Sequence, residues 1–219
     1  MSSTEFQRPL VLLSGWGHGP AAMEPLARSL RSRGRDVRLL LDVHGFCNVD
    51  GSVSALQPPH GSILVGWSLG AFVALTTAIR FPDAVDGLVL ISGFPRFTAT
   101  GDFPCGVPPA QLRLLRRGVA ASGPASLAAF FEDVAGCRGA DDDSRAGEHS
   151  LAEAEAIGTE ALLRGLAVLD CGDLREDIAR VTCAVAAFHG GGDRVVSPAV
   201  LEWWAHALPR STRILFPQG

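Results

Sequence analysis

The stretch GSILVGWSLGAFVAL, Gly61 to Leu75, constrains the fold of this chain more than any other. A continuous apolar run ends at Gly66-Trp67-Ser68-Leu69-Gly70, and a helical pattern rich in Ala and Leu begins at once. That is a strand, a sharp turn with serine at its apex, and a helix extending to about Arg80. Five further short apolar runs share the character of the first: PLVLLSG (Pro9 to Gly15), DVRLLLDVHG (Asp36 to Gly45), VDGLVLISG (Val85 to Gly93), CAVAAFHG (Cys183 to Gly190) and TRILFP (Thr212 to Pro217). Helical patterns lie between several of them, at His18 to Gly34 and at Ser197 to Leu208. Strands that are apolar throughout, rather than alternating, and that are separated by helices predict an α/β fold with a parallel sheet covered on both faces.

Between the fourth and fifth strands the rhythm changes. FPRFTATGDFPCGVPP is loop-like, and helical segments follow at Ala110 to Ala120, Ala125 to Ala135 and Leu151 to Leu169, with a polar loop at Gly136 to Ser150. This predicts an inserted helical lid over residues 97–168, dividing the core into 1–96 and 169–219; an ordinary helical layer is the alternative. The formal charge of −4 offers no footprint for nucleic acid and no polybasic membrane patch. Five scattered cysteines without C-x-x-C spacing suit neither a disulfide framework nor a zinc site. With no basic leader before an apolar core and no apolar run long enough to span a bilayer, a cytoplasmic soluble protein is expected.

Three stretches carry chemistry. In G-x-S-x-G the turn lifts the serine oxygen clear of the sheet, and the following helix aims its first amides at the place where negative charge develops, which makes Ser68 a candidate nucleophile. The bland reading is a serine that caps a helix. LLSGWGHG, after the first strand, is a Gly-rich turn whose Trp16 amide, with that of Leu69, suits an oxyanion hole; a plain connection with the Trp16 ring as wall is the alternative. AFHGGGDRVVSP puts Asp193 in a loop past a buried strand, where a carboxylate orients a catalytic histidine or simply caps a turn. Asp170 and Asp173 are weaker rivals, because DCGDLRED reads as a helix start.

Taken together, and in the order Ser then Asp, these residues resemble an α/β-hydrolase. Within that fold, LLSGWG, LVGWSLGAFVAL, LVLISGFPRFTATGDFP, LLRGLAVLDCGDLRED and HGGGDRVVSP resemble the pimeloyl-acyl-carrier-protein methyl ester esterases of biotin synthesis. The resemblance implies an eight-stranded sheet, a helical lid and serine hydrolysis of a methyl ester borne by acyl carrier protein, with Phe130 and Phe131 lining an acyl channel or forming lid core. No metal or cofactor is implied. Three departures stand out. Ser14 occupies the first position of the family's His-Gly-Trp-Gly. Ala125 and Ala129 lie where the family's lid helix bears arginine, while Arg113, Arg116 and Arg117 sit one helix earlier. The family's base histidine follows the last strand, about where this chain stops, so a truncated form is expected. Within the chain His18 and His189 are the fallback bases, and His44, His60, His149 and His206 are expected on the surface or on helices. A general small-ester carboxylesterase or thioesterase, or a non-catalytic binding protein, are the rival functions.

Overall fold

The computed structural model describes residues 8–40, 42–135 and 146–217. Six strands form one sheet: β1 (Leu10–Leu13), β2 (Val37–Leu39), β3 (Ser62–Trp67), β4 (Val85–Ile91), β5 (Ala184–Gly190) and β6 (Thr212–Phe216). Every neighbouring pair is parallel, in the order β2-β1-β3-β4-β5-β6. Each of the six runs identified from the sequence contains one strand. The described sheet thus has six strands, where the resemblance implied eight.

Successive side chains of β1 point to opposite faces, as a pleated strand requires. Val11 and Leu13 join the large core that includes Leu64, Leu75 and Leu88, whereas Leu10 and Leu12 pack with Met23, Ala27 and Val65 on the other face. The first face is filled by α2 (Leu69–Arg80), of which all but Arg80 is buried. The second is partly covered by α1 (Glu24–Arg31). Between β4 and β5 come α3 (Pro109–Ser122), α4 (Ala128–Ala135), α5 (Ala146–Ile157) and α6 (Thr159–Cys171); α7 (Val200–Ala207) precedes β6. No helix among the described residues is long and apolar enough to cross a membrane.

The structure revises three local expectations. The helical pattern of Leu151 to Leu169 is two helices, because Gly158 turns the backbone to φ +83° between α5 and α6. DCGDLRED ends a helix instead of starting one: Asp170 is in the last turn of α6, and Asp173 beyond it binds Arg96 at 2.9 Å and Arg175 at 2.8 Å. The expected polar loop 136–150 lies outside the described residues as far as 145, and its remainder opens α5.

The sheet order also sets the site. The chain passes from β1 outward to β2 and then returns to β3 on the opposite side of β1. Loops leaving the C-terminal ends of β1 and β3 therefore diverge and leave a crevice, the usual place for a ligand in an open parallel sheet.

Candidate active site

Ser68 stands at that crevice, directly after β3. Its backbone is at φ 54°, ψ −115°, a left-handed conformation that is strained for a residue with a side chain. Its amide donates to Ile91 O at 2.9 Å, and its carbonyl accepts the amides of Ala71 at 2.9 Å and Phe72 at 3.2 Å, which fix the turn from both sides. Both motif glycines have a steric reason. A Cβ at Gly66 would lie 2.5 Å from the Ala71 nitrogen, and one at Gly70 would fall on the carbonyl oxygens of Leu13 and Ser14. Only without those atoms can α2 begin so close to β3 and β1.

Facing it is the turn after β1. The Ser14 hydroxyl donates to His18 O at 2.8 Å, the Trp16 indole N–H donates to Leu162 O on α6 at 2.9 Å, and the Gly17 amide donates to His44 Nε2 at 3.1 Å. A Cβ at Gly15 would be 3.4 Å from the Ser68 Cβ, so this turn lies against the serine. Among the described residues the amides of Trp16 and Leu69 make no hydrogen bond, which leaves both for a ligand.

Asp193 reaches the same place from the loop after β5. One carboxylate oxygen accepts the amides of Val195 and Val196, each at 2.9 Å, and the other lies 3.4 Å from His189 Nε2. Burial pushes its carboxyl upward, but hydrogen bonds from His189, Val196, Ser92 and Val195 outweigh it, so Asp193 is held below the ordinary carboxylate range and ionised.

A cavity of about 1140 Å³ joins these parts, lined among others by Trp16, His18, Ser68, Ser92, Phe130 and Asp193. His18 touches it with Nδ1 3.2 Å from Glu153 on α5 and its ring 4.7 Å from that of Trp67. His189 does not line it. That ring is buried, and its Nε2 donates to Val196 O at 2.8 Å, so the nitrogen is already protonated and occupied. Phe130 lines the cavity, whereas Phe131 is buried beneath the Gly17 turn, 2% exposed. No side chain hydrogen-bonds to the Ser68 hydroxyl among the described residues. No group of three or more His, Cys, Asp or Glu suited to a metal occurs among them either.

The sequence reading missed two residues. His44, expected on the surface or on a helix, opens a 3-10 helix (His44–Phe46) and is fully buried, because the segment after β2 folds under the Trp16 turn. Glu153 pairs with His18 across 135 positions, and no local pattern announces such a partner.

Residues 54–219 match the α/β hydrolase fold family. The pimeloyl-[acyl-carrier protein] methyl ester esterase of Nitrosomonas europaea is 29% identical over 95% of this chain and 86% of its own length. The protein of the same name from Stenotrophomonas maltophilia is 30% identical over 96% and 84%. Among solved structures, a bromoperoxidase from Bacillus anthracis superposes with a TM-score of 0.84 at 21% identity, covering 97% of this chain and 84% of that one.

Proposed function

The chain belongs to the α/β hydrolase fold family, and from that premise we propose that it is a serine esterase acting on the methyl ester of an acyl group carried by acyl carrier protein. The observation that carries this reading is the strained Ser68 turn opening into a cavity shared with Asp193 and flanked by the two amides of Trp16 and Leu69. The relatives' names supply the substrate.

In this reading the Ser68 oxygen attacks the ester carbonyl carbon, and its proton passes to a histidine base. The carbonyl oxygen becomes an oxyanion that accepts the Trp16 and Leu69 N–H groups. On collapse, the base returns the proton to the departing methoxide, releasing methanol and an acyl-Ser68 ester. Water, deprotonated by the same base, then frees the acid and regenerates the hydroxyl. Asp193 orients the base and stabilises its charged form.

In the family pattern that base follows the last strand. β6 leads toward the Asp193 loop, since the Gly191 amide donates to Phe216 O at 2.7 Å. His18 is the alternative base, favoured by one observation: Glu153 engages its Nδ1, which leaves Nε2 for a substrate-side proton.

Helices α3 to α6 act as the lid. Leu112, Leu115, Phe97, Val107 and Phe130 give the cavity an apolar wall for an acyl chain. Arg113, Arg116 and Arg117 are exposed on α3, with Arg117 at the cavity wall, and form the basic face on which an acidic carrier docks. The test is hydrolysis of p-nitrophenyl butyrate and of a carrier-borne methyl ester. Ser68→Ala abolishes both, and Arg113→Glu with Arg117→Glu raises KM for the carrier substrate alone. Hydrolysis that survives Ser68→Ala refutes the serine mechanism. Equal KM changes on the two substrates refute the docking face.

A further inference from the structure

We propose that His44, as a neutral hydrogen-bond acceptor, is the positioning residue that holds the Trp16 amide in the oxyanion hole. The inference rests on the reading of Ser68 as an ester nucleophile.

His44 has no exposed surface, and its Nε2 lies 3.1 Å from the Gly17 nitrogen. A backbone amide can only donate, so this Nε2 must present its lone pair. The ring is then neutral, with its proton on Nδ1. That nitrogen lies 3.3 Å from Asp42 Oδ1 without hydrogen-bond geometry, and the same oxygen accepts the His44 amide at 2.9 Å. Gly17, at φ +75°, directly follows Trp16, whose indole is tied to α6 through Leu162 O. Trp16 is thus fixed at its ring by one element and at its following peptide by His44. Ser14 closes the turn from inside through His18 O. With three buried side chains tying five residues, the Trp16 amide has one direction.

Protonation at Nε2 would set two N–H groups against each other and leave the buried Gly17 amide without an acceptor, a costly arrangement that a glycine turn relieves by moving. The charged or titratable groups around the ring are Asp42 on its own segment, Cys47 beside it, His18 on the turn and Arg164 on α6. Burial lowers the His44 pKa, and His18 and Arg164 act in the same direction, against Asp42. The Cys47 thiol is pushed up to about 12 by burial and stays uncharged. The neutral ring therefore persists to more acidic pH than an ordinary histidine allows.

The experiment compares wild type, His44→Phe, His44→Gln and Ser68→Ala on p-nitrophenyl butyrate, measuring kcat, KM and pH dependence, with thermal melts as a fold control. Phenylalanine fills the space without an acceptor, and kcat falls roughly 10- to 100-fold while KM stays within about twofold. Glutamine offers a carbonyl oxygen at similar reach and recovers kcat to within about threefold. On the acid side, log(kcat/KM) of wild type steepens toward a slope of two as both His44 and the catalytic base protonate. With glutamine the slope stays at one. Wild-type kcat in the phenylalanine variant, a glutamine variant as impaired as phenylalanine, or an unchanged acid slope overturns the proposal. If the phenylalanine variant does not fold, the glutamine slope decides alone. Hydrolysis indifferent to Ser68→Ala overturns the esterase reading itself, whereas Ser68-dependent hydrolysis indifferent to His44 overturns only this inference.

Discussion

Gly165→Ala tests whether the Trp16 turn is seated on α6. Gly165 lies mid-way along α6, where alanine would ordinarily stabilise a helix by about 1 kcal/mol. Here the added methyl would stand 2.5 Å from Trp16 Cδ1, 3.0 Å from Trp16 Nε1 and 3.3 Å from His44 Cδ2. The indole cannot slide away freely, because it is bonded to Leu162 O one turn earlier on the same helix. Overpacking of this kind costs about 1–3 kcal/mol, and breaking the indole bond about 1 kcal/mol more. Set against the helical gain, the variant is less stable by about 1–3 kcal/mol, a fall in Tm of roughly 2–12 °C for a chain of this size. On the proposed role of the Trp16 amide as an oxyanion donor, activity falls further than stability implies, because a displaced Trp16 moves that amide away from the developing charge; kcat drops about 10- to 100-fold. Thermal melts and ester hydrolysis on the same preparation measure both. A variant that melts above wild type with kcat unchanged would show that Trp16 does not depend on this packing, and the reasoning would fail.

Other outcomes follow from the same geometry. Ser68→Gly abolishes hydrolysis yet raises stability by about 1–2 kcal/mol in urea unfolding, since glycine adopts the φ 54° turn without strain; equal or lower stability would remove strain from the account. Phe131→Ala costs about 3–5 kcal/mol of stability, whereas Phe130→Ala leaves stability nearly intact and shifts the preference among short and long acyl esters; identical effects of the two would refute their separate roles. Burial pushes the Asp173 carboxyl up, but hydrogen bonds from Arg175 and Arg96 outweigh it and hold the group at about 2. A depressed carboxylate contributes stability above its unfolded pKa and loses it as pH falls through the folded one. Asp173→Asn therefore removes about 1–2 kcal/mol at neutral pH, toward the lower end with solvent screening, and flattens stability between pH 4 and 2; an unchanged acid unfolding profile would contradict this.

The sheet was legible in the sequence because parallel strands buried on both faces leave continuous apolar runs, and each of the six runs contains a strand. The edge strand β6 shows the limit of that rule: Thr212 to Phe216 is apolar in its last three residues yet exposed throughout. The break at Gly158 was not legible, since Ala, Glu and Leu continue the helical pattern on both sides and only the backbone angle separates α5 from α6. DCGDLRED reads as a helix start because its aspartates suit an N-terminal cap, whereas Asp173 binds its neighbour Arg175 together with distant Arg96, and Asp170 faces Arg116 from the last turn of α6.

The candidate site divides along the same line. Ser68, Trp16 and Asp193 could be located because each sits in a Gly-rich turn directly after a strand, and the sheet order brings those turns to one edge. Asp193 and the Ser68 carbonyl are held by neighbours in sequence, but what fixes the Trp16 turn is not local. The Trp16 turn is held by His44, 27 positions away beyond β2, and by Leu162 on α6 and Glu153 on α5, 146 and 135 positions from the residues they bind. A motif specifies which backbone groups face the serine, but their direction depends on buried partners that make no pattern of their own. Helices α5 and α6 are therefore structurally part of the Trp16 turn: a change on α6 such as Gly165→Ala reaches the candidate site through a single indole ring.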